Sequence, residues 1–136
     1  AMRTGFVKRS VRKFMPGERI EDAIAAAKAL QPARLNTIFT RLGENITRLE
    51  EADEVRDHYL GVIDLIKKAG IDAQISIKPT QLGYDQNFEV CVTHCLTIID
   101  KCEQTGTFFW IDMEGSPYVD GTIRLFKRLR ERTPNI

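Results

Sequence analysis

The sequence has no apolar run of about 18 residues, which leaves no candidate membrane-spanning helix. It opens Ala1-Met2-Arg3-Thr4 with no apolar stretch behind a basic start, so no secretory signal is legible there. It has almost no net charge, a formal +1 over 136 residues, and therefore no bulk attraction for nucleic acid or an anionic surface. It has only three cysteines, Cys91, Cys95 and Cys102, all in one stretch. An odd number without an export signal argues against a disulfide framework and for reduced thiols in a cytoplasmic protein. No strand-like run is followed by G-x-G-x-x-G or G-x-x-x-x-G-K-[ST], which lowers a nucleotide-binding reading.

What is present is organised. Residues 1–19 form a basic leader, with Arg3, Lys8, Arg9, Arg12, Lys13 and Arg19 against Glu18 alone. Phe6, Val7, Val11 and Phe14 interleave with these charges, so the leader reads as packing onto the body, with phosphate or lipid contact as the alternative. Pro16-Gly17 punctuates the chain, and residues 20–136 make the domain proper. Ile20, Ala23, Ile24, Ala27 and Leu30 predict a helix over 20–30.

One pattern then occurs three times, a short β-forming run followed by a longer helical one. The runs 36–42, 73–78 and 107–113 begin roughly 35 residues apart, the size of a strand-plus-helix unit. Thr47 and Glu50 predict a capping box for the first of these helices, whose stripe is Val55, Leu60, Ile63 and Ile66, with Lys67, Lys68 and Gly70 at its end. Asp85 is a candidate cap for the second, with Phe88, Cys91, Cys95, Ile98 and Cys102 on one face and Gly106 closing it. Ser116-Pro117 predicts the start of the third, lined by Val119, Ile123, Phe126 and Leu129 and stopped by Pro134. Repeated βα units imply parallel strands with right-handed crossovers, in an open doubly wound sheet or a (βα)8 barrel. A barrel takes about 250 residues, so the chain reads as an incomplete one.

In such folds chemistry collects at the C-terminal ends of the strands. Those ends carry Glu44, Lys78 and Asp112, one ionisable residue each. Lys78 and Asp112 interrupt apolar runs, and a buried lysine needs a partner, which here is Asp112, Glu44 or a substrate carboxylate. One cation with two anions at one mouth suits a zwitterionic amino or imino acid. The alternative for each residue is a solvated charge or a structural ion pair. Cys91, His94 and Cys95 share a helix face, but with no second Cys/His cluster they read as core rather than zinc ligands. Phe108, Phe109 and Trp110 read as barrel core.

The strand-end motifs resemble those of monofunctional proline dehydrogenases. Leu42-Gly43-Glu44 is similar to the first, 75–83 (ISIKPTQLG) to the second and 111–118 (IDMEGSPY) to the third, and Phe14-Met15-Pro16-Gly17-Glu18 resembles the family's leader. The order and spacing agree along nearly the whole chain. The resemblance implies the N-terminal part of a distorted (βα)8 TIM barrel, about three βα units preceded by a helix. It implies oxidation of L-proline to Δ1-pyrroline-5-carboxylate with hydride transfer to FAD and electrons passed to a quinone-type acceptor, with peripheral contact at the inner membrane. By motif, Lys78 would bind the substrate carboxylate, Asp112 would lie beneath the substrate and orient a tyrosine from later in the chain, and Glu44 would form a gating ion pair with an arginine. Thr40 and Arg41 stand where the family often has an acidic residue and an apolar or aromatic one. Most flavin contacts are expected beyond Ile136, so this stretch alone is expected to be inactive. The rival readings are a non-catalytic half-barrel that binds a partner or self-associates through its open edge, and a different barrel enzyme with a similar start.

Overall fold

A computed structural model describes residues 19–43, 45–134 and 136; of the leader at 1–19 all but Arg19 lies outside the described residues, as does Glu44. The chain runs through α1 (Ile20–Leu30), β1 (Thr37–Thr40), α2 (Leu49–Ala69), β2 (Ala73–Ile77), α3 (Phe88–Thr105), β3 (Phe109–Ile111) and α4 (Val119–Arg130). The three strands pair in parallel in the order β1-β2-β3. Thr37 lies opposite Ala73, and Ile75 opposite Phe109. Three consecutive βα units of this kind, preceded by a helix, are the architecture expected of part of a (βα)8 barrel.

The C-termini of α2 and α3 follow the sequence signals, and the N-termini of α2, α3 and α4 do not. Gly70 and Gly106 sit at φ 62° and 74°, the left-handed conformation that lets their amides turn back onto the last carbonyls of α2 and α3. The capping box of α2 is one residue later than the Thr47–Glu50 pair. Arg48 has the extended backbone of the cap, so Glu51 occupies the third helical position and accepts from the Arg48 amide at 3.0 Å. The Thr47 hydroxyl donates to the same carboxylate at 3.0 Å. At α3 the cap is Asn87, not Asp85: its Oδ1 accepts from Glu89 N at 3.0 Å and Val90 N at 3.2 Å. Asp85 instead accepts from the Tyr118 hydroxyl. Ser116-Pro117 opens a single 3-10 turn, and α4 proper begins at Val119. That helix ends at Arg130, before Pro134, whose carbonyl accepts from the Arg130 guanidinium.

Strand alternation sends Ala73, Ile75, Ile77 and Phe109 to one face, where all four are buried under α2 and α3. Tyr59, Val62, Ile63 and Ile66 of α2 and Cys91, Cys95, Ile98, Ile99 and Cys102 of α3 complete this core. Tyr59 is buried where the expected stripe had its neighbour Leu60, which is half-buried. The second face of the sheet carries Ile38, Thr40, Gln74, Ser76 and Trp110, and no described helix packs over it. Ile38 and Trp110 are 57% and 46% exposed. The three aromatics of the last run thus divide: Phe109 is core, while Trp110 lies on the open face with its indole N–H on Gln74 Oε1 at 2.5 Å.

The buried face of α4 is Thr122, Leu125 and Leu129, whereas Val119, Ile123 and Phe126 are exposed. Of the four residues expected to line this helix Leu129 is buried and the other three face outward, because periodicity alone does not say which of two overlapping stripes meets the core. Gly121 belongs to the packed surface, because a Cβ there would strike the Tyr84 hydroxyl.

Candidate functional site

Lys78 follows Ile77 and Asp112 follows Ile111, so each begins the loop beyond its strand. Alternation turns both toward the uncovered face, beside Ser76 and Trp110. There Lys78 Nζ lies 3.0 Å from Asp112 Oδ2. The lysine side chain is 18% exposed and the aspartate 42%, so the pair sits at a rim with one partner largely withdrawn from water. A carboxylate neighbour is what makes a cation at the end of an apolar strand tolerable. Of the three ionisable residues expected at this mouth the structure brings Lys78 and Asp112 together; Glu44 lies outside the described residues.

Around this pair the three strand ends are tied to one another. The Tyr59 hydroxyl reaches from α2 to the sheet, donating to Ser76 O at 2.8 Å and accepting from Arg41 N at 3.0 Å. Burial pushes its phenol above the ordinary value of 10.0, which keeps it a donor. The buried Gln81 amide donates to Gly43 O at 2.5 Å, with Arg41 O and Leu42 O slightly farther away. The Glu114 carboxylate accepts from the Thr80 amide at 3.0 Å and from its hydroxyl at 2.5 Å. That hydroxyl in turn accepts from Asn45 N at 3.3 Å. Thr80 is fully buried and Gln81 nearly so; these bonds satisfy Thr80 and the Gln81 amide nitrogen, while Gln81 Oε1 has no partner among the described residues.

Tyr59, Thr80, Gln81 and Glu114 received no role from the sequence. Thr80 and Gln81 lie in a 3-10 turn, Pro79–Leu82, off the strand alternation, and the bonds of all four residues join segments far apart in the chain.

The cysteines and His94 are structural. Cys91 and Cys95 are fully buried, and the Cys95 thiol is pushed well above its ordinary range by its hydrogen-bonded neighbour Cys91 and by burial. Burial also pushes Cys102 up to about 12. Both nitrogens of His94 are engaged, Nδ1 at 3.2 Å from Leu82 O and Nε2 at 3.1 Å from Asp53 Oδ1. These contacts join α3 to α2 and to the turn after β2. No group of three or more His, Cys, Asp or Glu among the described residues is placed to hold a metal ion.

Comparison with known proteins gives a consistent result. A family model described as proline dehydrogenase matches residues 23–135. Proline dehydrogenase 1 of Bacillus subtilis subsp. natto is 28% identical over 120 residues, covering 88% of this chain and 40% of the relative. The proline dehydrogenase of Deinococcus radiodurans is 34% identical over 120 residues, covering 86% of this chain and 39% of the relative. The chain therefore spans about two fifths of the length of these relatives. Among solved structures, proline utilization A (PutA) from Bdellovibrio bacteriovorus, inactivated by N-propargylglycine, superposes with a TM-score of 0.74 at 18% identity. The match covers 92% of this chain and 16% of that one.

Proposed function

The chain belongs to the proline dehydrogenase family, and from that premise we propose that it supplies the substrate-binding rim of an enzyme oxidising L-proline to Δ1-pyrroline-5-carboxylate. The observation that carries this reading is the Lys78–Asp112 pair at the C-terminal edge of a parallel sheet, on its uncovered face. Lys78 takes the proline carboxylate as a compact point charge on a flexible stem. Asp112 holds the ammonium in place before substrate arrives and, lying below the ring, orients a hydrogen-bonding partner. Glu44 completes the mouth as a gating ion pair.

The family is generally flavin-dependent, and FAD is the cofactor of the proposed reaction. The described residues fit the substrate end of such a site. Lys78 offers a cation to the carboxylate, and the adjoining face with Ser76 and Trp110 is open to a planar ring. The hollow beside the first strand end, between Arg41, Gly43, Glu54 and Gln81, measures about 140 Å3, below the roughly 300–1,000 Å3 of a ligand pocket. The larger hollows, of about 530 and 490 Å3, lie along α4 and at the start of β3, away from the Lys78–Asp112 rim. When bound, FAD accepts the hydride; this chain's residues bind and orient the substrate. A quinone-type carrier next in line, with peripheral contact at the inner membrane, completes the reading. No helix among the described residues is long and apolar enough to cross a membrane.

The test is a visible spectrum. Protein is incubated with FAD, desalted and given L-proline without oxygen, both as the 136 residues alone and as a longer protein carrying the whole barrel. The longer protein should retain flavin that bleaches with proline, and the short one should be colourless. Flavin that stays oxidised with proline in the longer protein would sink the assignment. The uncovered face and the exposed Val119, Ile123 and Phe126 favour a second property of the short chain, self-association through its open side. Sedimentation showing a strict monomer at high concentration would remove it.

A further inference from the structure

The β2–β3 ladder ends early, and its end coincides with the Lys78–Asp112 pair. The paired residues are Ile75 with Phe109, Ser76 with Trp110 and Ile77 with Ile111. Ile75 N donates to Phe108 O at 3.1 Å, and Asp112 N donates to Ile77 O at 2.9 Å. A parallel ladder takes its donors from every second residue of a strand. From Ile75 the series passes through Ile77 to position 79, which is proline and has no N–H. Backbone pairing must stop just where Lys78 and Asp112 have to be held in register.

Glu114 lies one step farther on. Past Ile77 the chain leaves the strand through Lys78 and turns into a 3-10 turn, Pro79–Leu82, which places Thr80 beside the loop that carries Asp112 and Glu114. The two oxygens of Glu114 take the Thr80 N–H at 3.0 Å and the Thr80 O–H at 2.5 Å. A bidentate carboxylate thus ties this turn to the loop after β3, and Lys78 and Asp112 are bracketed between the last backbone bond and this clamp. Because both bonds end on a charged group, they are stronger than neutral ones.

We propose that Glu114 is a positioning residue for the Lys78–Asp112 pair, acting through Thr80 in place of the ladder bond that Pro79 cannot make. Through its two bonds to Thr80 it sets the separation of the two loops that carry the pair. Its effect on proline binding rests on the function proposed above, whereas its effect on Lys78 does not.

The test therefore has two arms. In the first, the rate of Lys78 acylation by acetic anhydride is followed by mass spectrometry in the wild type, Glu114→Gln, Thr80→Val and Thr80→Ser, with folding checked by circular dichroism. Asp112→Asn serves as the positive control. Acylation should quicken by roughly tenfold in folded Glu114→Gln and Thr80→Val, the factor expected when a hydrogen bond to a charged group is lost. Thr80→Ser keeps both donors and should behave as the wild type. An unchanged Lys78 rate in folded Glu114→Gln and Thr80→Val overturns the proposal. In the second arm, the flavin-loaded protein carrying the whole barrel should show proline KM raised roughly tenfold by Glu114→Gln with kcat held, as expected when ground-state binding is lost. A loss of kcat in step with a lowered melting temperature, with KM unmoved, would mark Glu114 as merely structural. If the wild type itself does not reduce flavin with proline, the proline reading falls and the acylation arm alone decides the positioning role.

Discussion

The two faces of the sheet are built from the same strands, yet they obey different constraints. On the covered face Ala73, Ile75, Ile77 and Phe109 meet α2 and α3 and are almost wholly withdrawn from water. On the other face Ile38 and Trp110 stand exposed and Gln74 and Ser76 are half-buried. The first face holds the fold together. The second ends in the Lys78–Asp112 ion pair, where the proposed substrate site lies. A parallel sheet is normally covered on both sides; in the whole barrel proposed above, further units would enclose the open face. The ionisable pair can then sit at a wall that is neither fully wet nor fully dry.

The comparison can be broken most directly by cutting side chains on each face. Phe109→Ala removes a fully buried ring from the covered face and should cost about 3–5 kcal/mol of stability in urea unfolding. Trp110→Ala, one residue on but facing the other way, should cost a small fraction of that in the 136-residue chain. Equal losses would mean that the open face is also packed in solution. Lys78→Ala should weaken proline binding by roughly ten- to a hundredfold, the worth of a hydrogen-bonded charge, while flavin stays bound in the protein carrying the whole barrel. Unchanged proline affinity would remove the carboxylate role.

Smaller effects sharpen the picture. Gly121→Ala should destabilise by about 1–3 kcal/mol, because the added methyl must displace Tyr84, although alanine is otherwise the better helix former. Thermal melting that rises instead would show that Tyr84 moves freely. Asn87→Ala should cost about 1 kcal/mol and Asp85→Ala less, since Asn87 alone caps α3. The smallest effect concerns pH. Hydrogen bonds from Thr47 and then Arg48 hold the Glu51 carboxyl below the ordinary 4.5. Its contribution is present above that value and is lost as pH falls through the folded one. Glu51→Gln should therefore flatten the acid limb of a stability profile below about pH 4.5, and an unaltered limb would deny the cap its role.

Several features were legible because they depend on local chemistry. The span of α1, the three strand cores and the glycine ends of α2 and α3 follow from spacing and backbone freedom. The caps of α2 and α3 were misplaced by one or two residues, because several polar residues compete there and only the backbone path selects between them. Val119, Ile123 and Phe126 were mistaken for the packed side of α4 for a related reason. That helix has two faces of apolar spacing, and periodicity does not say which one meets the core.

The candidate site divides in the same way. Lys78 and Asp112 were readable as charges at strand ends, and strand alternation alone turns them to a common side. That they pair with each other at 3.0 Å depends on register, a property of two segments 34 residues apart that no local pattern contains. The same holds for Thr80 with Glu114 and for Gln81 with the backbone at Gly43. The amino-acid sequence by itself determined where strands and helices form, how two helices end and which charges stand at the strand tips, because each depends on neighbours along the chain. Only the tertiary structure decided which charges meet, which face of α4 is buried and which polar side chains tie the loops, because each depends on groups brought together across the sheet.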